Sequence, residues 1–343
     1  MTSSRITKTA LFCVAFVFIL IFSKSTSPLY PNDIGVDSAI FMTIGKAWAN
    51  GTIPYISLWD QKGPIIFAIN ALGWTILENW YGLFAIQVLC MFLTLIIVYK
   101  ILRTAYTEKP ACILTLILIF LLRIDYVGNS TEEYLLPLLC LSFLKILQYT
   151  KQLHTESINH KPSCAFLYGV TFSFCLLTRL TNALGLSAAV SVIAISLAVH
   201  GKWRNLLANA ITFIAGVLIL LIPFILYFSS YGALNDFIYG TIGYNLEYFA
   251  ASSMGSLSLY SVVRFILRFG ISAVFMIIGL LEIIESKDNH LCGWIWFFSG
   301  MLILLWFLKS LAYEHYGMIA FPYFALSMIE VKRMVTVQTL TDK

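Results

Sequence analysis

Charge is what this chain has least of. Only 11% of its 343 residues are Asp, Glu, Lys or Arg, against roughly 25% in an average soluble domain, while 59% are hydrophobic. That shortage excludes a soluble globular protein, because runs such as 11–22, 84–98, 112–122 and 211–228 are apolar on every side and must be solvated by lipid or by other helices. No stretch is polar enough to make a separate soluble domain, so 1–343 reads as one integral membrane domain. The first apolar run follows "MTSSRITK" without a small-x-small cleavage site and reads as a retained span. Metal-binding spacings are missing too: there is no CxxC, HxH or HExxH, so no structural metal is expected and a loosely held divalent cation is left open. The seven cysteines sit in or beside apolar runs and read as buried free thiols. No basic, aromatic-interleaved face points to nucleic acid, and the net charge of +5 fits Lys and Arg sorted to the cytoplasmic side of a membrane.

The fold class expected is therefore an all-α polytopic membrane protein of about ten spans, at 9–23, 81–103, 110–124, 134–150, 165–180, 184–200, 206–228, 258–284, 291–308 and 317–331. An eleventh apolar segment, 63–79, is short and holds Pro64, Asn70, Gly73 and Glu78. If it does not cross, fourteen of the 22 Lys and Arg lie inside and six outside, with Arg264 and Arg268 within a span; if it crosses, five lie inside and 15 outside. The tendency of basic residues to stay inside favours a non-crossing or re-entrant helix. Such a segment survives at membrane depth only against protein or a watery cavity, which predicts a cavity opening outward. This topology gives a first outer loop at 24–80, a further outer loop at 123–134, a second large one at 229–257 and a short one at 310–317.

The first outer loop holds Asp33, Asp37, Lys46, Asp60 and Lys62. Ile40, Ile44, Ala47 and Trp48 recur at helical spacing, which predicts a surface helix from Asp37 to Asn50, ended by Gly51 and too short to span. Asp37 reads as its N-cap, a role that needs no chemistry. Lys62 in "PYISLWDQKGP" reads as an interfacial anchor or as a point charge for a phosphate.

An acidic residue opening an interfacial helix, then "G-x-x-P-Y" at Gly51–Tyr55, then a lysine-proline turn at Lys62-Gly63-Pro64 resembles the first outer loop of polyprenyl-phosphate-sugar-dependent glycosyltransferases of the GT-C superfamily, including the protein mannosyltransferase and aminoarabinose transferase families. Those families usually read "D-E", "G-x-x-P-Y-x-D" and "K-P-P"; Ser38, Ser57 and Gly63 depart from that pattern here. Their second acidic residue is matched by Glu132 or Glu133 in "NSTEEYLL", and a late "H-Y-x-x-x-x-x-P" by His315, Tyr316 and Pro322. The likeness runs from residue 9 to about 200 and thins beyond.

The resemblance implies an inverting transfer of a sugar from a polyprenyl-phosphate donor to a glycan, lipid or protein acceptor, outside a bacterial inner membrane. It makes Asp37 the candidate base, with Glu132 or Glu133 as the second carboxylate. Tyr55, Lys62, Arg264, Arg268, His315 and Tyr316 become candidate substrate ligands. Local alternatives stand beside each. Glu132 and Glu133 also read as a solvated helix start. Arg264 and Arg268, roughly 9 and 15 Å below the outer end of their span, also read as an ion-paired or snorkelling pair. His315 also reads as a polar loop residue, and Tyr239, Tyr244, Tyr248 and Phe249 as an aromatic belt. Two other functions remain open: a polysaccharide polymerase, and a flippase for a lipid-linked sugar, although no symmetry between halves marks transporter repeats.

Overall fold

The computed structural model describes residues 3–31, 34–153, 158–251, 259–285, 290–309 and 314–341. Among them there is no strand, and the helices follow in the order α1 (Ser3–Phe22), α2 (Val36–Ala49), α3 (Pro64–Leu77), α4 (Tyr81–Leu102), α5 (Glu108–Leu122), α6 (Thr131–Gln152), α7 (Pro162–Leu176), α8 (Leu184–Val199), α9 (Trp203–Ser230), α10 (Leu234–Ile238), α11 (Tyr244–Ala251), α12 (Leu259–Glu285), α13 (Leu291–Lys309) and α14 (Phe321–Thr341). Short 3₁₀ turns at Leu180–Ala183 and Glu314–Ala320 lead into α8 and α14, and a π turn at Tyr239–Gly243 joins α10 to α11.

Six of these helices are long and apolar enough to cross a membrane: α1, α4, α8 with its 3₁₀ turn, α9, α12 and α13. Helices α5 and α7 have 15 residues each, about 22 Å at 1.5 Å per residue, less than the roughly 30 Å hydrocarbon core. Helices α6 and α14 are long but carry Glu132, Glu133, Lys145 and Lys151, and Glu330, Lys332 and Arg333. The result is an α-helical polytopic membrane protein with a large core among α1, α4–α8 and α12–α14 and a smaller one among α2, α3 and the α9–α10 corner.

The two ends of the bundle differ in chemistry. At one end Lys151 Nζ donates to the Thr104 carbonyl (2.9 Å), Tyr106 Oη to that of Met328 (2.8 Å) and Thr7 Oγ1 to Glu108 (2.9 Å). The loop ahead of α7 is tied to the start of α9 by Asn205, whose side chain bonds the His160 backbone on both its N–H and its C=O. The opposite end gathers the termini of α1, α3 and α7, the starts of α4, α6 and α8, and the turn before α14.

Helix α3 stays at this second end. Its first residues bond the backbone of Leu177 and Thr178, its middle residue Asn70 bonds Asn129 just before α6, and its C-terminus turns through Trp80 directly into α4. This short apolar helix therefore has both ends beside the same helix termini.

Three local expectations change. Helix α2 begins one residue earlier than expected, with Gly35 as N-cap and no side-chain cap bond; Asp37 lies inside the first turn and is exposed. The buried face of α2 is Ser38, Phe41, Met42, Ile44 and Gly45, rotated from the Ile40–Ile44–Ala47–Trp48 stripe because Gly45 packs against Asn70 and Ala71 of α3. The 229–257 loop is largely helical, as α10, the π turn and α11; its residues 252–257 lie outside the described set.

Helices α7 and α9 meet where each lacks a side chain. A Cβ on Gly169 would strike the Phe213 carbonyl, and one on Gly216 the Phe166 carbonyl. This contact sets the depth of α7, and so of the segment at its end that enters the site below. Gly169→Ala should force the helices apart and lower the melting temperature in detergent, since overpacking costs typically about 1–3 kcal/mol. Gly270→Ala, in α12 with open space around it, should leave melting unchanged or slightly raised.

Candidate functional site

The site is built on residues that follow α7. The chain leaves that helix as Leu177-Thr178-Arg179 and re-enters helix at Leu180. The Lys62–Pro64 turn docks on it: the Gly63 N–H donates to the Thr178 carbonyl and the Ile65 N–H to the Leu177 carbonyl, both at 3.1 Å. Gly63 permits this approach, because a Cβ there would collide with the Leu177 carbonyl. A usual "K-P-P" proline in place of Gly63 would also lack the N–H that makes the first bond. Docking brings Lys62 beside Arg179, two cations on separate chain segments.

Tyr55 fixes the other side of the turn. It sits at φ 71°, its ring buried against Phe67, Phe228 and Phe237, and its hydroxyl donates to the Lys62 carbonyl at 2.7 Å. Its geometry is that of a strut for Lys62, with the ring committed to the apolar cluster. Asp60 Oδ1 accepts from the Lys62 N–H (2.9 Å), and Asn245 of α11 donates to the Gln61 carbonyl (2.6 Å).

Glu132 meets this turn from the start of α6. It has no exposed surface; Asn182 Nδ2 donates to Oε1 at 3.0 Å, Thr131 Oγ1 to Oε2 at 2.9 Å, and the Arg179 guanidinium lies 3.7 Å from Oε1. Glu133 faces elsewhere, since neighbours on a helix point about 100° apart. It accepts from Tyr126 (2.6 Å) and Gln87 (2.8 Å), and Gln87 in turn accepts from Ser23 and Thr26 at the end of α1. The two carboxylates therefore separate by role: Glu132 joins the cation cluster, and Glu133 ties α1, α4 and α6 together.

Arg179 is held from three directions. Its guanidinium carbon stands 3.4 Å from the Tyr316 ring centroid and 5.9 Å from that of Trp306, and the two rings stack on each other. His315 Nε2 lies 3.5 Å from Arg179 Nη1. A guanidinium only donates, so Nε2 accepts and the imidazole carries its proton on Nδ1. Burial holds the His315 pKa below its ordinary value, the Arg179 charge pushes the same way and Glu132 opposes them, which agrees with a neutral ring.

Asp37 completes the group from outside. Its carboxylate is exposed, and its charge acts on Asp60, Lys62 and His315. Burial lowers the Lys62 pKa, with Arg179 adding to the shift and Asp60, Asp37 and Glu132 opposing it; burial also raises that of Asp60. Ser38, the departure from the acidic pair, is buried and accepts from Asn129 Nδ2 at 2.8 Å. Asn129 itself is at φ 47° and exchanges bonds with Asn70 on α3. A glutamate at 38 would place a charge in that closed amide network.

No family model, curated protein or solved structure matches this chain. The reading of the site rests on its own geometry. Lys62, Glu132, His315 and Tyr316, drawn from three distant parts of the sequence, gather at Arg179, and Asp37 stays exposed within reach of their charges. Arg268 is 2% exposed and donates to Asp125 Oδ1 at 2.6 Å, the ion pairing that a cation at that depth requires. Arg264 lies on α12, and its side chain falls outside the described residues. Sequence reasoning missed Arg179, Asn182 and Trp306, and noted Asp60 without a role. Arg179 was legible as the one cation in the short "LTRLTN" link between two apolar runs, a place where a charge meets its partners only in three dimensions.

Among the described residues no three His, Cys, Asp or Glu side chains group in a way that could hold a metal ion. The donors of this site do not suit a divalent cation, because Lys62 and Arg179 already supply its positive charge. What the arrangement offers is two cations on docked segments with an exposed carboxylate, Asp37, within electrostatic reach, a combination that suits an anion site near a proton acceptor. Arg179→Gln should raise the pKa of Lys62, since a neighbouring like charge disfavours the protonated amine, and Glu132→Gln should lower it. Amine acylation at Lys62 followed by peptide mass spectrometry across pH would read both shifts. Identical midpoints in the two variants would contradict the cluster.

Proposed function

We propose that this protein is a membrane glycosyltransferase that moves a sugar from a polyprenyl-phosphate donor to a glycan, lipid or protein acceptor. The observation that carries the reading is the pairing of Lys62 with Arg179 next to Asp37. Like charges brought together by dedicated backbone bonds are unfavourable alone and become useful when an anion joins them.

In this reading Asp37 takes the proton of the acceptor hydroxyl, whose oxygen attacks the anomeric carbon. The bond from that carbon to the phosphate oxygen breaks, the phosphate leaves with the electron pair, and the anomeric centre inverts. Lys62 and Arg179 steady the charge that develops on the phosphate. Glu132 and Asn182 position Arg179, the neutral His315 and the Tyr316–Trp306 stack hold its plane, and Tyr55 positions Lys62. Bulk water must be kept out for transfer to outrun hydrolysis, and the burial of Glu132, His315 and Tyr316 supports this. About ten spans, with α3 re-entrant and the site facing the periplasm or exterior of a bacterial inner membrane, belong to the same proposal. The basic residues at the far end of the bundle support that orientation.

The test is mass spectrometry of surface glycans and glycolipids from cells with and without the gene, and with Asp37→Asn. One sugar residue should vanish in the deletion strain and stay at least about 100-fold reduced in the Asp37→Asn strain, the scale of losing a general base, with the protein still present in membranes. Full restoration by Asp37→Asn would refute the role of Asp37. A glycan of altered chain length with every residue present would favour a polymerase instead.

A further inference from the structure

The first outer loop meets the α10–α11 segment at a group of exposed aromatic rings that take no part in the proposed transfer. Trp59 is 44% exposed and Tyr239 47%. Tyr244 links them: its ring centroid is 4.8 Å from that of Trp59 with the planes at 76°, and 6.3 Å from that of Tyr239 at 81°. Rings set nearly at right angles present apolar faces in two directions. A carboxylate stands at their edge, since the exposed Glu247 accepts from the Tyr239 hydroxyl at 3.2 Å, and a carboxylate has room for several donors.

This group is joined to the candidate site. Trp59 precedes Asp60, whose carboxylate holds the Lys62 N–H. Gly240 packs so closely on the first outer loop that a Cβ there would strike the Tyr55 ring, with Trp59 Nε1 next beyond it. Asn245, the neighbour of Tyr244, donates to the Gln61 carbonyl. The contacts that brace the Lys62 turn therefore also fix the rings beside it.

Exposed Trp and Tyr also form the belts of membrane proteins, and anionic headgroups are held there by Lys and Arg. Residues 51–61 and 229–251 carry Asp60, Asp236 and Glu247 and neither lysine nor arginine. Such a surface repels a lipid phosphate or an acidic polymer and suits an uncharged partner. A sugar ring fits it: one face of C–H bonds packs on an aromatic ring, and the hydroxyls of its rim donate to a carboxylate. Trp and Tyr supply that contact area at low entropic cost.

We infer that Trp59, Tyr239 and Glu247 form an acceptor subsite for an uncharged glycan chain. The inference rests on the proposed transfer and narrows its acceptor to a glycan, yet binding is measured without turnover. The full chain in detergent is titrated calorimetrically with oligosaccharides cut from the uncharged surface polysaccharide of the deletion strain, and separately with a Ser/Thr-rich peptide and with short-chain phosphatidylglycerol. The oligosaccharides should bind, and Trp59→Ala should weaken them about tenfold, the scale of losing one aromatic contact. Tyr239→Ala and Glu247→Gln, both at exposed positions, should weaken them too and carry the test if Trp59→Ala aggregates. Trp203→Ala, which removes an exposed ring from the start of α9, should change nothing. No oligosaccharide binding by the wild type, equal binding by all folded variants, an equal loss in Trp203→Ala, or Trp59-dependent binding of the peptide or the lipid in place of the oligosaccharides would overturn the subsite. Oligosaccharide binding that depends on Trp59, in a protein that releases no polyprenyl phosphate, would overturn the transfer and keep the subsite; transfer to a lipid or protein with no oligosaccharide binding would do the reverse.

Discussion

The end of the bundle that holds the site depends on one buried charge. Glu132 has no exposed surface, and a carboxylate there without partners would be forced to take a proton or to unfold its surroundings. Arg179, Asn182 and Thr131 make its burial tolerable. Each of them then acquires a constraint. Arg179 must stand at the end of α7, which needs the glycine contact between α7 and α9; Asn182 needs the 3₁₀ turn ahead of α8; Thr131 needs α6 to begin where it does. A pair of this kind adds little net stability, yet removing one partner typically costs about 3–5 kcal/mol, so it acts as a fixed point for the elements around it.

Lys62 is the cation this arrangement does not need for stability. Its turn is docked next to Arg179 by backbone bonds from Gly63 and Ile65, and its backbone is braced by Tyr55 and Asp60. Tyr55 and Asp60, on the same loop, hold the Lys62 backbone so that its charge lies near that of Arg179. Functional sites concentrate such conflicts. A second buried polar network, Ser23–Thr26–Gln87–Glu133–Tyr126, contains no opposed like charges and accounts for itself as structure.

The membrane class was legible from composition, because it follows from an average over many residues. Asp37, Lys62, Glu132, His315 and Tyr316 were legible as a set only through motif order. Their meeting depends on packing that no local pattern records. Which glutamate enters the site was not legible, since adjacent residues share one sequence signal and differ only in the face they occupy. Arg179 was missed for the same reason, being an ordinary cation in a short link until Glu132, His315 and Tyr316 surround it. Ile40, Ile44 and Trp48 of the expected α2 stripe do pack against the smaller core but mark only one flank of the buried face, because Gly45, silent in a hydrophobicity pattern, sets the contact of α2 with α3. The partner of Arg268 was invisible because Asp125 lies 143 positions away.

A glycosyltransferase of this kind must consume a lipid-phosphate sugar. Purified protein reconstituted into liposomes with a radiolabelled polyprenyl-phosphate sugar and an extract of candidate acceptors should release free polyprenyl phosphate as labelled sugar appears on an acceptor, one for one. Label that crosses the bilayer while still bound to its carrier, with no polyprenyl phosphate released, would contradict transfer and establish transport in its place.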